Sequence, residues 1–335
     1  MTASRYYEGI DKAVLWLLSQ QKPDGSIGSE VPAFYKLPAA LEISGHSIEA
    51  QRLVNWMRDN FFTKDGDFKV ERYVKPYVES RFHIYHNHWI VIGTQRLGRF
   101  DISHRAINFI LNYQDPKLGG FFYERPGPEG GEEDILTTSF CGLACLYTGR
   151  LQNAVKAGNF LRMIADAQPD VKNNLYVNYH SKQGLVTEFP DEEAPVYTVA
   201  TGKPEQLYYY AGVAVAFLAK LYGATGKDEY LDLARQYFDF ATSCYCDVLC
   251  FPASGKLGWG AAYLYEVTSE EKHKHVAESL LDYFFKTQSQ NGSWPVEGFS
   301  YLKVKDEPER QYSIRVDVTA ELCIIWPIEI MKAIA

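Results

Sequence analysis

Tyr283-Phe284-Phe285-Lys286-Thr287-Gln288-Ser289-Gln290-Asn291-Gly292-Ser293-Trp294 decides how the rest of the chain is read, because its spacing of residue types returns twice more. An aromatic residue stands five positions before a Gln, a Gly follows four positions later, and an apolar residue closes the stretch. Trp16-Leu17-Leu18-Ser19-Gln20-Gln21-Lys22-Pro23-Asp24-Gly25-Ser26-Ile27 repeats the pattern, with Ile in the last place. Arg105-Ala106-Ile107-Asn108-Phe109-Ile110-Leu111-Asn112-Tyr113-Gln114, followed by Gly119-Gly120-Phe121, is a third copy. The Gln amide has donors and an acceptor for the backbone of a turn. Gly permits the tight bend. The closing apolar residue packs against a neighbouring hairpin.

Working outward, each copy joins an amphipathic helix to a more apolar one, and self-similarity at such a period marks a repeat architecture. The aromatic anchors Trp16, Trp56, Phe109, Phe160, Tyr237 and Tyr283 recur at spacings of 40, 53, 51, 77 and 46 residues. The long interval holds a polar stretch, read as a loop insertion at about 168–203. The first helices are apolar on one face, as in Ile10-Asp11-Lys12-Ala13-Val14-Leu15-Trp16-Leu17-Leu18. The second helices, near 31–44, 83–97, 134–148, 205–222, 256–267 and 315–334, are apolar all round and must be buried. The pattern predicts an all-α fold, an (α/α)6 barrel (toroid) of six helical hairpins, forming one domain over residues 1–335.

The 335 residues are 46% hydrophobic and 23% charged, as in ordinary globular proteins. Aromatic content is 15%, with 24 Tyr, 19 Phe and 6 Trp, more than a plain aliphatic core requires. Net charge is −8 and no Lys/Arg block stands out, which argues against a nucleic-acid partner. Residues 1–7 lack an apolar signal region, and the longest apolar stretch, 211–219, is too short to span a bilayer. Cys141, Cys145, Cys244, Cys246, Cys250 and Cys323 are read as free thiols of a reducing, cytoplasmic compartment. The group Cys244, Cys246 and Cys250, without a CxxC pair or a nearby His, is either a soft-metal site or small buried residues at a helix end.

The aromatic-x4-Gln-x3-Gly-x-Trp pattern resembles the repeat of the isoprenoid toroid family, the triterpene cyclases and the β subunits of protein prenyltransferases. The segment Gly119-Gly120-Phe121, Glu124-Arg125-Pro126 and Thr138-Ser139-Phe140-Cys141-Gly142-Leu143-Ala144-Cys145-Leu146 resembles the repeat around the prenyltransferase active site. Two departures stand out. Leu136 follows Asp134 where that family has its zinc-ligating Cys, and Arg315-Val316-Asp317-Val318-Thr319-Ala320 keeps only the middle Asp and the Thr-Ala of the cyclase acid motif. The motifs of ionisation-type terpene synthases are also missing. In size and in these absences the chain is similar to the atypical fungal humulene synthases. That resemblance implies farnesyl diphosphate as substrate, a magnesium (Mg2+) cofactor and an essential Lys, matched here to Lys256.

The residues support particular roles. Lys256 lies between glycines at a helix start, where backbone N–H groups and an ammonium suit a phosphate. Glu133 and Asp134 precede the third inner helix; they are either magnesium ligands or ordinary N-terminal caps. Glu205 and Glu321 complete the expected metal set. Asp317 is a lone carboxylate in a Val/Thr/Ala run, either catalytic or paired with Arg81 or Arg315. Glu321, one turn later, shares its face. His83, His86 and His88 are either a transition-metal or proton-transfer group or satisfied structural histidines, and His83 joins Lys256 and Asp317 as a catalytic candidate. Arg81, Arg315, Tyr208, Tyr209 and Trp259 are candidate substrate contacts, the aromatic rings because their faces stabilise cations.

Three readings follow. The first is a terpene cyclase (a carbon–oxygen lyase acting on diphosphates) that ionises an allylic diphosphate, with a small-molecule isoprenoid partner and no membrane span. The alternative is an (α/α)6-barrel carbohydrate enzyme, a sugar epimerase or glycoside hydrolase, in which His83, Glu205 and Asp317 serve. The third is a non-catalytic prenyl- or peptide-binding ring.

Overall fold

The computed structural model describes residues 3–28, 30–68, 84–296 and 307–335. The protein is mostly helical and divides into two compact units, Met1–Ile110 with Leu281–Lys332, and Leu111–Leu280 with Ala333–Ala335.

In the first unit, α1 (Ala3–Gln20), α2 (Leu37–Ile43), α3 (Ser47–Phe61), α4 (Tyr85–Arg96) and α5 (Phe100–Leu111) follow in order. The predicted contrast between helix types is plain in α4 and α5. Along α5, Asp101, His104, Arg105 and Asn108 face solvent while Ile102, Ala106, Ile107, Phe109 and Ile110 are buried, a 3.6-residue alternation. Along α4 every residue from His86 to Thr94 is buried.

The second unit repeats the contrast. Between α6 (Ile135–Tyr147) and α7 (Leu151–Asp166), α6 is buried from Ile135 through Cys145, whereas α7 buries one stripe through Ala154, Ala157, Phe160, Leu161 and Ile164. Next come α8 (Tyr209–Thr225), α9 (Asp228–Thr242) and α10 (Gly255–Thr268), with α8 packed against α6, α9 and α10. The chain then passes through α11 (Glu271–Thr287) to α12 (Pro308–Ala320) and α13 (Trp326–Ile334).

The repeated Gln does what its chemistry suggests. Gln21 Nε2 donates to Gly25 O and Glu49 O at 3.0 Å each, and Gln114 Nε2 to Gly119 O and Asn153 O at 2.9 Å each. Gln288 Nε2 donates to Gly292 O at 2.8 Å and Gly9 O at 2.9 Å. Each amide therefore closes its own turn and ties it to a neighbouring outer helix. Gly292 has φ 91°, and a Cβ there would lie 2.3 Å from Lys12 O, so the turn rests directly on the α1 backbone.

Three expectations shift. The predicted loop at 168–203 carries short strands: β1 (Glu132–Asp134) pairs antiparallel with β3 (Asn178–His180), β3 with β4 (Gly184–Leu185), and β2 (Asn174–Tyr176) with β5 (Thr198–Ala200). The fourth inner helix begins at Tyr209, not at 205, because Glu205 has φ 54°, outside the helical region, and its N–H is taken by Asp247 Oδ2 at 2.6 Å. The last inner helix begins at Pro308, a residue suited to a first turn, and a π-helical segment, Glu321–Ile325, interrupts it before α13. Among the described residues, no helix is long and apolar enough to cross a membrane.

Candidate functional site

The first unit holds a buried charge cluster. Lys36 ends the apolar run of residues 31–36 and caps α2 at its N-terminus; it is 2% exposed. Its Nζ lies 2.9 Å from Asp317 Oδ2 and 2.5 Å from Glu321 Oε2. Burial alone would push the Lys36 ammonium down, but the Asp317 and Glu321 carboxylates outweigh it and hold Lys36 above the usual lysine range. The Nζ also stands 5.1 Å from the Tyr35 ring centre and 5.9 Å from that of Trp89. Tyr35 meets Tyr85 edge-on at 5.9 Å. Asp317 and Glu321 come from successive turns of the last inner helix, with Glu321 at the start of the π segment, so the expected shared face is real. Asp317 also accepts from Tyr35 Oη at 3.4 Å, and its contact with Lys36 is one the sequence reading passed over. The sign was available: Lys36 is a lone charge among Val31, Ala33, Phe34, Leu37 and Leu41, the same signal that marked Asp317.

Glu133 and Asp134 lie in the second unit, at the entry to α6. Asp134 is the N-cap, its Oδ1 accepting from Thr137 N–H at 2.7 Å, the capping role weighed for it. Glu133 is fully buried, and a Cβ on Gly120 would sit 2.5 Å from its Oε2. Burial, with the Asp115 and Asp134 carboxylates nearby, pushes the Glu133 carboxyl up to about 9, so it is protonated near neutrality. Glu205 stands exposed on the turn before α8, and Glu321 is tied to Lys36 in the first unit. Among the described residues no group of three or more His, Cys, Asp or Glu is arranged to hold a metal ion. Of the four expected magnesium ligands, Asp134 Oδ1 serves the α6 cap and Glu321 Oε2 meets Lys36.

Lys256 sits in the first turn of α10, 7% exposed, with Nζ 5.1 Å from the Tyr209 ring centre and 5.8 Å from that of Phe140. Trp259, one turn on, stacks on Phe140 at 6.3 Å. Phe140 thus borders both the Lys256 ammonium and the Trp259 ring. Tyr208 is turned to a different task, its hydroxyl donating to Asp247. Arg315 is half-buried on α12. His86 Nε2 approaches Phe68 O at 3.3 Å, and His88 is fully buried beside Tyr85 and Trp89. Arg81 and His83 lie outside the described residues. Cys141, Cys145, Cys244, Cys246, Cys250 and Cys323 are all free.

A further residue unforeseen from sequence is Asn178. It lies on β3 opposite Asp134 and donates from Nδ2 to Glu132 Oε2 at 3.2 Å. Only strand pairing brings it there, and nothing in the local composition of the insertion marks it.

No family model matches the sequence, and no curated protein matches it. Solved structures do resemble it. A family 76 glycoside hydrolase, an α-mannanase of Bacteroides thetaiotaomicron, matches with TM-score 0.65 at 14% identity, over 95% of each chain. A D-mannose isomerase matches with TM-score 0.64 at 12% identity, over 96% of this chain and 97% of the other. A type II terpene cyclase of Scytonema, in complex with merosterolic acid A, matches with TM-score 0.57 at 12% identity, over 97% of this chain and 98% of the other. At these identities the likeness is one of fold, and that fold is the all-α (α/α)6 toroid.

Proposed function

We propose that the protein is a carbohydrate-active enzyme that moves a proton on a sugar, an epimerase or isomerase, with Asp317 as the base. The observation that carries this reading is the Lys36–Asp317–Glu321 cluster. Because both carboxylates touch one nitrogen, Asp317 Oδ2 and Glu321 Oε2 lie within about 5.4 Å of each other. Carboxylate pairs at about 5–5.5 Å also serve retaining glycosidases, but hydrolysis needs one of the two protonated as the general acid. An ammonium between them favours the ionised form of both. Two ionised carboxylates suit abstraction of a proton beside a sugar carbonyl, with Lys36 balancing the charge. Tyr35 and Trp89 flank the Lys36 ammonium. Asp317, with 13% of its side chain exposed, is the most accessible of the three charged groups. The mannose isomerase and mannanase likenesses favour a sugar substrate, with mannose the first to try.

The test is incubation with reducing aldoses and ketoses in D2O, followed by proton NMR. Deuterium entering beside the carbonyl, with interconversion of the sugars, both lost in Asp317→Asn, is the expected result. Release of reducing ends from an oligosaccharide without such exchange would replace this reading with hydrolysis.

A second reading, cyclisation of an allylic diphosphate, draws on the Lys256 surround. A buried ammonium at a helix start among Tyr209, Phe140 and Trp259 combines a diphosphate contact with rings that stabilise a carbocation. Conversion of farnesyl diphosphate to a hydrocarbon, lost in Lys256→Ala, would put this reading first.

A further inference from the structure

A cavity of about 350 Å³ lies in the second unit, lined by none of the candidate site residues above. Its walls come from the end of α7, the first part of the strand-bearing insertion and the last turns of α9. Leu175, Tyr237 and Phe240 line it with buried apolar side chains, while Val171, 47% exposed, marks where it meets solvent. The polar groups along its walls are largely spent on the protein itself. Gln168 donates from Nε2 to Ile164 O and Tyr176 O at 2.9 Å each, and its Oε1 accepts from Tyr176 N–H at 2.8 Å. Tyr237 Oη donates to Leu161 O at 3.1 Å, and Ser243 Oγ to Phe240 O at 2.7 Å. The exposed lining residues carry charges of both signs: Lys172, and Asp239, whose Oδ1 stands 3.6 Å from Lys272 Nζ. The exposed Gln236 adds one amide.

We propose that this cavity binds a small neutral molecule that is mostly hydrocarbon, with at most one hydroxyl. Its size and lining are those of a ligand site, a concave space of about 300–1,000 Å³ with apolar walls and few polar groups. The state of those polar groups selects the class. The Gln168 amide, the Tyr237 phenol and the Ser243 hydroxyl already have partners, so a polyhydroxylated or ionic ligand would give up its bonds to water with little in return. An apolar body surrenders no such bonds and gains by covering Leu175, Tyr237 and Phe240. One charge of each sign among the exposed lining residues selects neither an anion nor a cation. An apolar cavity of about 150 Å³ holds benzene, so this larger one takes two fused rings or a chain of about ten carbons. Gln236 is placed to bond a single hydroxyl on such a ligand. No residue of either reading above lines the cavity, so the inference rests on neither.

The test is calorimetric titration of the intact protein with 2-naphthol, with 2-naphthoate and 2-naphthylmethylammonium as charged probes that carry the same rings. The expected result is that 2-naphthol binds with a negative heat-capacity change, the mark of buried apolar surface. Each charged probe should bind at least tenfold more weakly. Ala165→Phe, which fills the cavity from α7, and Val171→Asp, which sets a charge at its exposed edge, should each weaken 2-naphthol tenfold or more. A melting scan checks that the variants are folded; if Ala165→Phe is not, Val171→Asp, at an exposed position, carries the test. The proposal is overturned if 2-naphthol does not bind, if either charged probe binds as tightly, or if the folded variants bind as the parent does. Sedimentation tests the other occupant: self-association of the parent that Val171→Asp abolishes would give this face to a second copy of the chain and overturn the proposal.

Discussion

Lys36 Nζ and Asp317 Oδ2 stand 2.9 Å apart although 281 positions separate them in the chain. The Lys36 side chain is 3% exposed, and a cation with so little access to water needs a counter-charge. The pair is not closed, because Lys36 also holds Glu321, and this asymmetry governs what substitution does.

Lys36→Met leaves two carboxylates facing each other without their cation. We expect it to destabilise the protein by about 3–5 kcal/mol, the cost of breaking a buried ion pair from one side. Asp317→Asn leaves Lys36 paired with Glu321, and the loss should be about 1.5–3 kcal/mol, that of one charge-assisted hydrogen bond. Urea denaturation of the two variants measures the order; equal losses would contradict the shared-cation arrangement.

Glu133 sets a pH dependence. Its folded pKa, about 9, lies above the usual 4.5, so the folded protein holds a proton that the unfolded chain has released. Its contribution is fully present below about pH 4.5 and is lost as pH rises through 9, with a slope of about 1.4 kcal/mol per pH unit for one proton. Glu133→Gln cannot ionise. The variant should gain stability relative to the parent as pH increases from 5 to 9, read from melting temperatures across that range.

Gly292→Ala should be far more damaging than Gly226→Ala. Both glycines have positive φ, 91° and 67°. A Cβ at Gly226 meets nothing within 4 Å, whereas at Gly292 it would lie 2.3 Å from Lys12 O. The first substitution therefore forces the turn off α1, while the second bears only the backbone cost of about 1 kcal/mol. Calorimetric melting of the two variants checks the difference.

Gln288→Leu removes an amide that serves Gly292 O and Gly9 O together. Leaving the part-buried Gly292 carbonyl without this donor, and Gly9 O with only its helical bond, should cost about 1 kcal/mol. Because the side chain is of similar size, a loss confined to a few tenths of a kcal/mol in chemical denaturation would show that the turn is held by packing alone.

The local pattern was enough to read the helical hairpins, the Gln–turn bonds and the burial of one helix of each pair. Those features depend on residues a few positions apart, or on the rule that an all-apolar helix must be enclosed. The strands within 168–203 were not legible, because their segments are two or three residues long and are held by pairing, β2 with β5 and β3 with β4 and with Glu132–Asp134. The same limit applies to the charges. Lys36 and Asp317 each announce, by standing alone in an apolar run, that something of opposite sign must meet them. The contact of Lys36 with Asp317 and the raised pKa of Glu133 were decided only by tertiary structure, since Coulomb attraction and desolvation depend on distance in space and not on separation along the chain.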